Sequence, residues 1–216
     1  FCPPSGRVLD PFAGGSVRGI VAARLGRGYA GVDLSAVQKE ANDAQADAIC
    51  PDVQHEGRLQ WYVGDARDVS TLVPGGYDMV FSCPPYADLE RYSDDPRDVS
   101  TMAPDAFEAA YRAILGAAVS RLAPDRFACV VISNIRGKDG CYRDLTGLTV
   151  AAMAAAGARY YNEAVLINAV GSLAIRAGKQ MASSRKLGRG HQSVLVFVTG
   201  DWRKAAAACA AQEIPA

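Results

Sequence analysis

The sequence predicts an α/β fold: one mostly parallel seven-stranded sheet with helices on both faces and its last strand antiparallel. Three observations carry this. Short apolar runs recur along the chain, stretches with apolar residues at helical spacing separate most of them, and acids or small residues mark where the runs end. At 216 residues the chain is long enough for one domain with a substantial core.

The elements follow in order. "GRVLD" is the first strand, and after a Gly-rich turn "SVRGIVAARLG" has the apolar spacing of a helix lying on a sheet. "GYAGVDLS" is a second strand ending on Asp33, and "SAVQKEANDAQADAI" a helix capped by Ser35. "LQWYVGDA" and "YDMVFSCPP" are the third and fourth strands. "PDAFEAAYRAILGAAVSRL" opens with Pro104 and Asp105, the residue types that suit a helix start. "RFACVVISN" reads as a buried fifth strand, "TGLTVAAMAAAGA" as a helix of small residues, "RYYNEAVLINAV" as the sixth strand and "QSVLVFVTG" as the seventh. No clear helix separates the last two, so they are expected to be antiparallel neighbours at one edge. One domain is expected over residues 1–204, with a basic loop inserted at 171–191, and 205–216 form an Ala-rich tail.

Lys plus Arg and Asp plus Glu balance at 23 each, so any nucleic-acid surface must come from local clustering. The inserted loop is such a cluster: it holds Arg176, Lys179, Arg185, Lys186, Arg189 and His191 and no acid. It reads either as a phosphate-contacting arm or as a solvated connector. Arg136 and Lys138, after the fifth strand, could likewise meet phosphates or simply face solvent; His55 sits in a polar connector. The six cysteines are scattered without a C-x-x-C pair, which speaks against a disulfide framework or a structural metal and for reduced cytoplasmic thiols. No apolar run is long enough to span a membrane.

"VLDPFAGGSVRG" places Asp10 at a strand end, then a turn of small residues, then a helix N-terminus. Glycines let a backbone approach a ligand closely, but this is neither G-x-G-x-x-G nor a P-loop. Asp33 ends the second strand, where a carboxylate commonly takes ribose hydroxyls, and Asp65 ends the third. One strand-end Asp is more often a helix cap. Three together suit a nucleoside that carries a cationic centre, would repel a pyrophosphate, and so fit S-adenosylmethionine better than NAD.

"DPFAGGS" followed by "GRGYAGVDLS" resembles the first two motifs of the DNA methyltransferases that act on amines, and "CPPY" resembles their catalytic tetrapeptide. The likeness runs from about Val8 to Asn134, with a weaker echo in "RKLGRGHQSVLVFVTG", and "SCPPYADLERYSDDP" is similar to phage and prophage members. The resemblance implies the Rossmann-like class I methyltransferase fold, S-adenosylmethionine as cofactor and DNA as partner. It implies cofactor contacts along Asp10, Pro11, Phe12, Ala13, Gly14 and Gly15, ribose contacts at Asp33 and Leu34, and adenine contacts at Asp65 and Ala66. The segment that precedes the cofactor motif in that family, and any recognition domain, are expected to belong to a longer protein from which this chain is cut.

The family makes a poorly nucleophilic exocyclic amine reactive by accepting its hydrogen bonds on an oxygen and a proline carbonyl, while an aromatic ring stacks on the flipped base. Pro84, Pro85 and Tyr86 match those parts, but Cys83 stands where the oxygen-bearing residue belongs, and sulfur is a weak acceptor. A thiolate could instead add to cytosine carbon 6 and allow methylation at carbon 5. That chemistry also needs an acid, for which Asp88 and Glu90 are the nearby candidates. Transfer to adenine N6 or cytosine N4 is the reading by motif, and cytosine carbon 5 the reading by side chain. An RNA or protein amine methyltransferase, or a non-catalytic binding module, fits less well.

Overall fold

A computed structural model describes residues 1–52, 58–169, 171 and 173–210; His55 and residues 211–216 of the tail lie outside them. Seven strands form one sheet in the order β3-β2-β1-β4-β5-β9-β8. They are β1 (Arg7–Asp10), β2 (Gly28–Asp33), β3 (Leu59–Val63), β4 (Tyr77–Ser82), β5 (Leu122–Ile132), β8 (Arg159–Ile167) and β9 (His191–Val198). Strands β1 to β5 pair in parallel, and β9 runs antiparallel between β5 and β8. A separate ribbon pairs β6 (Ile135–Arg136) with β7 (Tyr142–Arg143).

Alternation along the strands divides the core in two, because successive side chains of a strand point to opposite faces. Leu9, Val80, Ala128 and Val130 face one layer, packed against α4 (Pro104–Val119) and α5 (Leu145–Ala155) through Tyr111, Ile114, Leu115 and Met153. Val8, Tyr29 and Trp61 face the other, against Ile20 and Ala23 of α1 (Val17–Arg24) and Ala46 of α2 (Ala36–Ile49). Phe127, Cys129 and Val196 extend that second face to Ala205 of α7 (Trp202–Cys209). A short α3 (Val69–Leu72) connects β3 to β4.

Local chemistry fixes the ends of these elements. Ser35 caps α2 as its position predicts, accepting from Gln38 N at 3.1 Å, and Pro104 opens α4. Asp144 and Asp201 cap α5 and α7 by accepting backbone N–H groups. Gly31 is required where β2 passes the Gly-rich turn: a β-carbon there would stand 2.7 Å from Ala13 Cβ and 2.9 Å from Trp61 Cδ1.

The basic segment differs from expectation. Instead of a loop, Leu173–Ser184 form a twelve-residue helix, α6, between the last two strands. Its run of Leu, Ala, Ile, Arg, Lys, Gln and Met favours helix, yet none of its described residues is buried. Its apolar Leu173, Ala177 and Met181 recur at helical spacing, yet the Gly, Ser and basic residues around them read as a loop. Gly188 passes close to the start of this helix, where a β-carbon would stand 2.2 Å from Leu173 Cδ1. No helix among the described residues is long and apolar enough to cross a membrane.

Candidate functional site

A cavity of about 720 Å³ opens where β1, β2, β3 and β4 end, the end of an open α/β sheet at which ligands bind. Its volume falls within the roughly 300–1,000 Å³ of small-molecule sites. Of the residues expected to hold a cofactor, Pro11, Phe12, Ala13, Gly14, Gly15, Asp33, Leu34, Asp65 and Ala66 line it. So do Cys83, Pro84, Pro85 and Tyr86, so the two motifs meet in one space.

Asp10 does not line this space. Its side chain is fully buried, and its oxygens accept from Phe12 N at 3.1 Å, Ser82 Oγ at 2.5 Å, Tyr29 Oη at 2.9 Å and Arg18 Nε at 2.5 Å. Arg18 also donates to the Phe12 and Ala13 carbonyls, at 2.6 and 2.8 Å. The expected ligand contact is thus a brace: Asp10 and Arg18 together hold the Gly-rich turn and tie it to the end of β4. Phe12 is fixed from the other side by stacking on Tyr111, with ring centres 6.0 Å apart.

Asp33 accepts from Gly14 N at 3.1 Å on one oxygen and from Ser35 N at 2.8 Å on the other. A carboxylate oxygen has more than one acceptor direction, so both retain capacity toward the cavity. Burial raises the pKa of Asp33 above the usual carboxylate range, against the lowering effect of the Ser35 and Gly14 N–H groups. Gly14 has φ +52°, and a β-carbon on Gly14 or Gly15 would meet no protein atom within 4 Å. Backbone is therefore what the turn presents to a ligand. Asp65 caps a 3-10 turn, accepting from Arg67 N at 2.9 Å, and is gripped by the Arg67 guanidinium, which holds its carboxyl below the usual range. Its oxygens are more engaged than the sequence suggests.

Cys83 is half-buried. Burial pushes its thiol above the ordinary value; the charge of Arg18 and a hydrogen bond with Tyr86 act in the opposite sense, and Asp10 adds to the rise. The sulfur lies 4.0 Å from Tyr86 Oη, which also accepts from Gln192 Nε2 at 2.6 Å. Ala87, directly after Tyr86, is buried with φ +50°, a left-handed backbone that a non-glycine residue adopts at a cost. Glu90 does not line the cavity and accepts from Tyr92 Oη at 2.7 Å; the side chain of Asp88 is outside those described.

Sequence reasoning missed Arg18, Gln38, Tyr92, Arg97 and Asp98, all of which line the cavity. Tyr92 offers a second aromatic ring there and is largely exposed. Its only signal was position, in the acidic stretch after Tyr86.

The basic residues lie around the same end of the sheet. Arg136 donates to Gly140 O at 2.9 Å and covers the Tyr142 ring at 4.3 Å. Lys186 Nζ stands 3.3 Å from where a Gly140 β-carbon would be, so the two basic clusters meet at this turn. Arg189 donates to His191 O at 3.2 Å, at the start of β9. Arg176, Lys179, Arg185 and Lys138 are exposed. No group of three metal-ligating side chains occurs among the described residues.

No family model and no curated protein matches this chain. Solved structures do. TrmN from Thermus thermophilus superposes with a TM-score of 0.57 at 17% identity, over 91% of this chain and 44% of that one. A methyltransferase from Pyrococcus furiosus gives 0.57 at 13%, over 93% and 78%. Magnesium protoporphyrin IX methyltransferase from Synechocystis PCC 6803, solved with bound S-adenosylmethionine, gives 0.54 at 14%, over 92% and 71%. The fold is the Rossmann-like α/β fold of class I methyltransferases, and this chain spans less than half of the TrmN chain it matches.

Proposed function

We propose that this chain is an S-adenosylmethionine-dependent DNA methyltransferase that modifies the exocyclic amine of a flipped base, adenine N6 or cytosine N4. One observation carries the reading: the Gly-rich turn, the Asp33 carboxylate and the Cys83–Tyr86 loop line a single cavity. The residues fit the cofactor. Gly14 and Gly15 leave the turn open where a β-carbon would intrude, and Asp33 keeps acceptor directions for a pair of ribose hydroxyls. When bound, S-adenosylmethionine supplies an electrophilic methyl group on a sulfonium centre.

The chain's own residues then act on the acceptor. Tyr86 and Tyr92 offer ring faces to a planar base. The proline pair, which has no backbone N–H, holds a carbonyl at the cavity wall to accept a hydrogen bond from the amine. That bond draws the nitrogen from planarity and frees its lone pair for attack. A neutral thiol beside it donates or accepts only weakly, so the proline carbonyl carries most of this task.

The surroundings of the thiol favour the amine over carbon 5: burial opposes ionisation of Cys83, whereas addition to a cytosine ring needs the thiolate. Support for DNA is the basic rim that joins Arg136 to Lys186 around Gly140, together with the motif resemblance.

The test is to incubate the chain with methyl-labelled S-adenosylmethionine and DNA or RNA, and to analyse digested nucleosides by mass. N6-methyladenine or N4-methylcytosine is the expected product. 5-Methylcytosine would transfer the role of nucleophile to Cys83, and label confined to RNA would remove DNA as substrate.

A further inference from the structure

The Tyr86 hydroxyl stands between two partners from distant parts of the chain. Gln192 Nε2 donates to Tyr86 Oη at 2.6 Å across a separation of 106 residues, and Cys83 Sγ lies 4.0 Å from the same oxygen. The backbone of Gln192 is held within the sheet. It pairs with Leu166 of β8 while its neighbour Ser193 pairs with Ile132 of β5, so β9 is held on both sides at this level. Tyr86, by contrast, sits in a loop outside any strand or α-helix.

A phenol oxygen that accepts an amide N–H keeps its own proton for a second acceptor. We infer that Gln192 is a positioning residue for the cavity: by donating to Tyr86 Oη it turns the phenol proton toward Cys83 Sγ, fixing the Tyr86 ring and the hydrogen-bonded state of the thiol together. The inference rests on the methyltransferase reading only for its effect on turnover; the relay itself is independent of what the site transfers.

Other groups act on the same sulfur. Arg18 of α1 and Asp10 of β1 contribute opposite charges, while Tyr92 of the following loop and Tyr111 of α4 interact with it as well. None of these is altered by a change at Gln192 that preserves size. Gln192→Glu is such a change: a carboxylate only accepts, so it would draw the phenol proton away from sulfur.

The experiment follows alkylation of Cys83 by iodoacetamide in the intact chain, read on the Cys83 peptide by mass spectrometry from pH 7 to pH 10. Tyr86→Phe is expected to slow the reaction roughly tenfold at fixed pH, the effect of raising the thiol by about one pKa unit. Gln192→Glu is expected to slow it at least as much, and in the Tyr86→Phe background its effect should shrink to the small influence of a nearby charge. Gln192→Met, which keeps the length and lacks the donor, guards against a folding defect in the Glu variant and should also react more slowly.

Wild-type rates in both Gln192 variants, or an equal Gln192→Glu effect with and without the Tyr86 hydroxyl, would overturn the relay. Absence of methyl transfer by the unaltered protein would instead overturn the functional reading and leave the alkylation result standing. Where transfer is measured, Gln192→Glu should lower kcat while KM for S-adenosylmethionine stays put.

Discussion

Replacing Asp10 with alanine removes the acceptor of four hydrogen bonds from a fully buried site. The larger consequence falls on Arg18, whose side chain is 25% exposed and would be left half-sheltered without its counter-charge. Breaking a buried pair costs about 3–5 kcal/mol. Arg18 keeps two carbonyl acceptors and some access to water, which places its share near the lower bound. Orphaning the Tyr29 and Ser82 hydroxyls adds on the order of 1 kcal/mol each. The sum, about 5 kcal/mol, is a large part of the roughly 5–15 kcal/mol that holds a domain folded.

Urea unfolding of Asp10→Ala should therefore show a much lower midpoint with an unchanged slope. At about 2–4 °C per kcal/mol for a chain of this size, the melting temperature should fall by roughly 10–20 °C. Asp10→Asn paired with Arg18→Met, which removes both charges and keeps volume, should recover part of the loss. A loss under about 1 kcal/mol, together with abolished S-adenosylmethionine binding, would refute the brace and return Asp10 to the role of a ligand group.

Glycine substitutions should separate packing from binding: Gly31→Ala, which collides with Ala13, Tyr29 and Trp61, should cost about 1–3 kcal/mol. Gly15→Ala meets nothing within the protein and should leave the urea midpoint in place while weakening S-adenosylmethionine binding in titration calorimetry; equal stability losses would contradict the assigned geometry. Alkaline stability should fall, because burial raises the thiols of Cys2 and Cys83, pushes Cys129 up to about 12, and raises the phenols of Tyr29 and Tyr111. Such groups stabilise the fold fully below their unfolded values, near 8.5 for Cys and about 10 for Tyr, and that stabilisation is lost as pH rises through the folded values. A urea midpoint that holds or climbs between pH 8 and pH 11 would count against it. Charge reversal of Arg136 and Lys186 together should weaken DNA binding and lower the slope of log affinity against log salt by up to about 2, as two phosphate contacts are lost; an unchanged slope would place DNA elsewhere.

Much of the architecture was legible because it rests on local pattern. The strands announced themselves by apolar runs such as Cys129–Ile132, and Ser35 and Pro104 sit where helix starts require them. Side chains that act through distant partners were not legible. Asp10 reads as a ligand residue by motif, and only the folded chain brings Arg18, Tyr29 and Ser82 onto it. Gln192 carries no signal at all, since its partner lies 106 residues away. Helix α6 escaped because the Gly, Ser and basic residues of 171–191 read as a connector, although Leu173, Ala177 and Met181 stand at helical spacing.

The reversed direction of β9 sets where this fold can grow. A parallel strand delivers its end to the cavity, whereas β9 delivers its beginning there, at His191 and Gln192. The hairpin it makes with β8 closes at Asn168 and Gly190, whose backbones are joined by a 3.0 Å hydrogen bond. Whatever length of chain is threaded between those two residues emerges beside the mouth of the cavity and leaves every sheet register untouched. The junction thus works as a socket, able to exchange one surface arm for another while the Cys83–Tyr86 loop beneath keeps its anchor on Gln192.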